Sequence, residues 1–195
     1  MSTSNARPYH HGDLSAALIA AATALLDEGG AGAVSLREAA RRLGVSPAAS
    51  YRHFADKETL LAAVATEGFK ELGAMMAAAS KDESAPLPAM GMTYVRFALA
   101  RRGLFRLMYG PELTDREKYP ELKSAADEAF GPLQREIGGG SGADRAALVN
   151  AVAAWALVHG LAMLFLNGVL PEALAESLTY AITSRPIKPS GSSER

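Results

Sequence analysis

Apolar residues recur every three to four positions through most of the chain, and short polar stretches separate the recurring segments. Leu14, Leu18, Ala21, Leu25 and Leu26 fall on one helical face, with Asp13 placed to cap the helix and Gly29-Gly30 to stop it. Leu36, Ala39, Ala40 and Leu43 supply a facing stripe. Its boundaries are written locally: Ser35 and Glu38 form an S-x-x-E capping box, Gly44 suits a left-handed stop, and Ser46-Pro47 is an N-cap followed by proline at the first helical position. A third short helix follows, and Phe54 is expected to wedge it onto the first. Asp56 then caps a long helix carrying Leu60, Val64, Gly68, Leu72, Met75 and Ala79 on one face. From Lys57 to Ala79 it spans about 35 Å at a helical rise of about 1.5 Å per residue.

Charge, serine and two prolines break the periodicity from Ser80 to Pro88, which reads as a loop and a domain boundary. Beyond it, Ala89–Ala100 and Gly103–Tyr109 are expected to be helical, Pro111–Tyr119 to be a polar connection, and Pro120–Ile137 to be helical again. Gly138–Gly142 is a flexible break. Ala143 to Val169 is the most apolar helix of the chain, Pro171 opens another that ends before Pro186, and the last residues form a disordered tail. The chain shows neither a strand pattern nor an internal repeat. The expected class is all-α: a three-helix helix-turn-helix domain over residues 1–56, a connecting long helix over 57–79, and a helical ligand-binding and dimerisation domain over 80–195. The two C-terminal apolar helices exceed what a domain of this size needs for its own core, so a four-helix interface across a two-fold axis is expected.

At 195 residues with 49% hydrophobic composition, the chain is long enough for a packed core and a smaller satellite domain. It contains no cysteine, no N-terminal signal-type run and no uninterrupted apolar stretch of roughly 18 residues, which points to a soluble cytoplasmic protein without disulfides or membrane association. Net charge is −1, so any nucleic-acid footprint must be local. Between Ser35 and Lys57, Arg37, Arg41, Arg42, Arg52 and Lys57 outweigh Glu38 and Asp56, a local +3 that leaves −4 for the remainder. Such a small footprint suits a protein that grips few phosphates and doubles them by pairing.

The segment SLREAARRLG-VS-PAASYRHF-ADKETL resembles the DNA-binding signature of the TetR family of transcriptional regulators, carried here by Tyr51, His53, Phe54, Lys57 and Leu60. The likeness continues upstream through YHHGDLSAALIAAATALLDEGG and downstream through GLFRLMYGPEL and WALVHG, which are similar to one branch of the family. The helix from Pro47 is expected in a DNA major groove, presenting Ala48, Ala49, Ser50 and Arg52. Arg52 has a fork that fits guanine O6 and N7, and the two alanines allow contact with thymine methyls. Ser50 departs from the apolar residue or proline that many relatives carry. The resemblance implies that Ser35, Ser46, Tyr51, His53 and the amide-rich helix start at Lys57 meet phosphate, and Arg37 joins the DNA-binding set. It further implies a homodimeric repressor on a palindromic duplex operator, released by a small apolar or amphipathic effector and transmitted by the long helix. An activator, an effector-independent regulator and a ligand-binding module without DNA contact are the alternatives.

Candidates for the effector site are Phe69, Met76, Met92, Phe97, Phe105, Met108, Trp155 and His159, among other soft or aromatic side chains such as Tyr94 and Tyr109. Core packing explains the same residues equally well, and a lone His beside a Trp is more often a hydrogen-bonded core residue. Arg7 has the charge of a minor-groove arm but reads more simply as part of a solvated tail. His10-His11 lacks a third ligand, so no metal or other cofactor is expected. No nucleophile–base pair, phosphate-cradling loop or paired carboxylate argues for an enzyme.

Overall fold

The computed structural model describes residues 11–81, 84–113, 115–138 and 145–185, with side chains described from residue 14. Arg7, His10-His11, the Asp13 cap and the C-terminal tail therefore lie outside the described side chains, as does most of the Gly138–Gly142 break. Every regular element among these residues is helical. The small N-terminal unit comprises α1 (His11–Ala33), α2 (Leu36–Arg42) and α3 (Pro47–Tyr51). Gly30 breaks α1 near its end with φ 70°, a backbone conformation that costs glycine little. Leu18, Leu25, Leu26, Leu36, Ala39 and Phe54 close the core of this unit.

The long helix α4 runs from Lys57 to Ala79, matching the sequence reading at both ends. The Asp56 carboxylate accepts from the Thr59 backbone N–H at 2.7 Å and from its hydroxyl at 2.8 Å, which fixes the helix start. There follow α5 (Pro86–Ala100), α6 (Arg102–Tyr109), two single 3-10 turns at Pro111–Leu113 and Arg116–Lys118, α7 (Pro120–Gly138), α8 (Arg145–Leu166) and α9 (Ala175–Thr183). Helix α4 packs chiefly on α7, while α5 lies between α8 and α9. Gly68 in α4 lets α6 approach so closely that an added Cβ would fall 2.8 Å from the Met108 sulfur and 2.9 Å from Leu104. On the far side of α6, a Cβ at Gly103 would meet the Leu26 carbonyl oxygen of α1 at 2.6 Å. One continuous core thus reaches from Leu18 in α1 to Ala175 in α9.

Two helical stretches, Leu14–Ala33 and Arg145–Leu166, are long and apolar enough to cross a bilayer by length and composition. Neither is free of polar interruption, since Asp27 and Glu28 fall in the first and Asn150 and His159 in the second. The first is accounted for by packing, since α1 sits against α2, α4 and α6. The second packs on α5, α7 and α9 by one face and leaves Leu148, Val149, Val152, Leu157 and Leu164 exposed on the rest.

Candidate nucleic-acid interface and ligand cavity

The helix-turn-helix geometry follows from its caps. Ser35 Oγ accepts from the Glu38 N–H at 3.1 Å and Ser46 Oγ from the Ala49 N–H at 3.3 Å, so α2 and α3 each begin on a side-chain oxygen. Between them Gly44 adopts φ 68°, and the Val45 N–H returns to the Ala40 carbonyl at 3.0 Å. The expected reciprocal capping box is only half made. Instead of turning back to the Ser35 amide, the Glu38 carboxylate takes a bidentate pair with Arg41 at 2.8 and 2.7 Å and a longer contact with Arg42 at 3.4 Å. Those guanidinium groups, Arg41 first, hold its carboxyl down at about 2. Arg42 also forms two bonds to Glu28 of α1, at 2.6 and 2.5 Å, tying α2 to α1.

This pairing sorts the five basic residues of the segment. Arg41 and Arg42 are committed to carboxylates, whereas Arg37, Arg52 and Lys57 are exposed and have no carboxylate within 4 Å among the described residues. Ala48, Tyr51 and Arg52 stand on the outer surface, Tyr51 48% exposed, with Ala49 and His53 half-buried beside them. Ser35 is half-buried at the head of α2 and Ser46 is exposed at the head of α3.

Ser50 corrects the sequence reading. It is fully buried, and its hydroxyl donates to the Pro47 carbonyl at 2.7 Å, so it faces the core with Phe54 instead of the outer surface. Positions 50 and 54 are one turn apart, and a short hydroxyl satisfied by the preceding turn can be buried at little cost.

The C-terminal domain contains a cavity of about 700 Å³ between α4, α5, α7, α8 and α9, open to solvent on one side. Its wall takes Phe69, Leu72 and Met76 from α4, Leu87, Met90, Gly91 and Tyr94 from α5, Phe130 and Leu133 from α7, and Trp155 and Val158 from α8. Of the residues expected there, Phe69, Met76 and Trp155 are on the wall. Met92, Phe97, Phe105, Met108 and His159 are not, a second correction. Phe97, Phe105 and Met108 are at most 2% exposed and fill the core behind the wall, while Met92 is half-buried off the facing stripe of α5.

His159 sits one layer behind. Its Nδ1 lies 2.9 Å from the Tyr94 hydroxyl, which accepts from Trp155 Nε1–H at 3.1 Å, and its ring stacks on Phe105 at 5.5 Å. Burial lowers the His159 pKa, favouring the neutral ring, and raises those of the Tyr94 and Tyr109 phenols. The hydroxyls and the indole N–H are therefore neutral hydrogen-bonding groups on a mostly apolar wall.

The sequence reading also passed over Arg116, which reaches the cavity from the 3-10 turn at Arg116–Lys118. Its guanidinium lies 5.2 Å from the centre of the Phe69 ring and donates to the Met108 carbonyl at 2.6 Å. The connection around it carries no helical period, so nothing in its spacing marks this arginine among the neighbouring charges. Among the described residues no cluster of three or more His, Cys, Asp or Glu side chains is arranged to hold a metal.

A helix-turn-helix unit with three uncommitted cations, joined by a continuous helix to a helical domain with a roomy apolar cavity, has the architecture of a DNA-binding regulator. The profile of bacterial regulatory proteins of the tetR family matches residues 18–64, and that of the tetracyclin repressor-like C-terminal domain matches residues 87–184. The chain belongs to the TetR family of DNA-binding transcriptional regulators, a non-enzymatic family. Among solved structures, a protein of unknown function from Rhodococcus sp. RHA1 is 34% identical, with a TM-score of 0.79 over 91% of this chain and 95% of that one. A TetR transcriptional regulator from the same organism is 19% identical, with a TM-score of 0.66 over 92% and 100% of the two chains. FadR from Bacillus subtilis in complex with stearoyl-CoA shares the fold at 16% identity, with a TM-score of 0.67 over 87% and 97%. No curated protein matches the chain.

Proposed function

We propose that this protein is a homodimeric cytoplasmic repressor that holds a palindromic operator through α3 of each copy and is released when a small apolar or amphipathic molecule fills the C-terminal cavity. The observation that carries this reading is the course of α4. The helix begins at the Asp56 cap, five residues beyond α3, and contributes Phe69, Leu72 and Met76 to the cavity wall. Material entering the cavity therefore presses on the same rod that positions the recognition unit.

Arg37, Lys57, Ser35, Ser46, Tyr51 and His53 are assigned to phosphate, and Arg52, Ala48 and Ala49 to base edges. Ser50 supports α3 from within. The exposed apolar residues of α8, of which Val152 and Leu157 also edge the cavity, and the exposed Tyr180 of α9 are assigned to the two-fold partner and not to a membrane. Two recognition helices about 34 to 36 Å apart, or a multiple of that, would meet successive major grooves. To empty the operator, the effector must bind the mismatched state more tightly by several kcal/mol. The FadR structure, which holds stearoyl-CoA, supports the idea that this fold accommodates small molecules.

Selection of bound duplexes from a random pool tests the DNA half directly. An inverted repeat with half-sites one helical turn or a multiple apart is expected, and Arg52→Ala should relax one base position at a cost of about 1 to 3 kcal/mol. A protein that stays monomeric and enriches no sequence would refute the proposal.

A further inference from the structure

The cavity is apolar over most of its wall, yet its charged groups are unevenly distributed. Two arginines, Arg116 and Arg185, line it against one carboxylate, Asp127. Asp127 and Arg185 are solvent-exposed, whereas Arg116 is half-buried. Two contacts fix its position, the Met108 carbonyl and the face of the Phe69 ring, and its charge is felt by the Tyr109 phenol. No carboxylate lies within 4 Å of its guanidinium among the described residues. The carbonyl and the ring take up one N–H and one face of a group with five donors, so most of its hydrogen-bonding capacity has no partner among the described residues.

We infer that the cavity selects an organic anion: an apolar, ring-sized or chain-like body with one carboxylate or sulfonate, its body against Leu72, Met76 and Phe130 and its anionic group on Arg116. This rests on the reading of the cavity as the effector site. A half-buried guanidinium with a spare planar fork binds carboxylate or sulfonate oxygens in charge-assisted pairs, which a neutral end group cannot match. A cationic end group would meet Arg116 as a like charge. The Tyr94 and Tyr109 phenols on the same wall are neutral, so they do not oppose the anion.

The matched probes are N-phenyl-1-naphthylamine and 1-anilinonaphthalene-8-sulfonate, which share one aromatic skeleton and differ by a single sulfonate. Both become fluorescent in apolar surroundings. Titrated into the full-length protein, with the emission of Trp155 followed in parallel, the sulfonate is expected to bind roughly tenfold more tightly or better. Arg116→Gln should bring the two affinities together by weakening the sulfonate alone, and Arg116→Lys should fall between. Circular dichroism melts of both variants separate loss of the charge from loss of the fold, and if Arg116→Gln melts early the comparison is made on Arg116→Lys. Equal binding of the two dyes, or a preference that survives Arg116→Gln, overturns the anion inference and leaves the cavity reading intact. If neither dye binds or moves the Trp155 emission, the cavity admits no ligand and both readings fall.

Discussion

The ion pairs on α2 make a quantitative statement about how binding to DNA should respond to salt. If every cation between Arg37 and Lys57 other than the base-reading Arg52 neutralised a phosphate, each copy would place four charges and a dimer eight. Counterion release would then give a slope of log affinity against log salt near about −7, and raising salt fourfold would weaken binding about 20,000-fold. The structure removes half of these, because Arg41 is held by Glu38 and Arg42 by Glu28 and Glu38. With Arg37 and Lys57 from each copy, four contacts remain, the slope falls to about −3.6, and the same fourfold step costs about 150-fold. Lys57→Ala should remove two contacts per dimer, flatten the slope to about −1.8 and reduce the loss to about 12-fold, on every sequence alike. Glu38→Gln should act the other way by releasing Arg41, steepening the slope by about 1.8. Fluorescence anisotropy on a selected duplex across a potassium chloride series measures all three proteins. A wild-type slope near the eight-contact value, or a Glu38→Gln slope equal to wild type, would show that these carboxylates do not withhold their arginines from DNA.

Three further outcomes follow from the packing. Leu164→Glu changes a residue 42% exposed in the single chain, so it should leave the fold's melting temperature near wild type while sedimentation shows the proposed dimer dissociating; a dimer that stays intact would relocate the interface. Tyr94→Phe strips the partner from both Trp155 Nε1–H and His159 Nδ1, which should cost about 1 to 3 kcal/mol in chemical denaturation and shift the Trp155 emission, and an unchanged spectrum would count against the hydrogen bond. Gly103→Ala drives a methyl to 2.6 Å from the Leu26 carbonyl oxygen, a backbone atom that cannot rotate away. Overpacking of about 1 to 3 kcal/mol should lower the melting temperature by roughly 2 to 12 °C, and a neutral result would mean that α6 does not press on α1 in solution.

What the sequence made legible was local. Caps, stops and stripes lie within four residues of one another, so the start and end of α4, the left-handed Gly44 and the Ser46 cap could be read directly. Competition between partners was hidden: Glu38 has the spacing for a capping box, but two neighbouring arginines offer it a stronger, charge-assisted pairing. Ser50 was misplaced because a helix of five residues is too short for periodicity to show which side faces inward. The cavity was harder still. Phe105 and Phe69 carry the same apolar signal, and only the three-dimensional arrangement of α4, α5, α7 and α8 decides that one backs a wall and the other faces empty space. Arg116 was invisible for the opposite reason, since it lies in an aperiodic stretch where charge is the ordinary state of a loop.

The unbroken core from Leu18 to Ala175, with Gly103 seated on the Leu26 carbonyl, bears on the modularity of this protein. Boundaries drawn at residues 56 and 79 follow changes of role along the chain, yet neither coincides with a gap in packing. A reading head grafted from a relative would therefore carry a foreign α1 into contact with the native α6, and its success depends on matching that seam as much as on matching the operator. Chimeras built at residue 56 inherit this constraint, and the residues to exchange together with the head are those of α6 that touch α1.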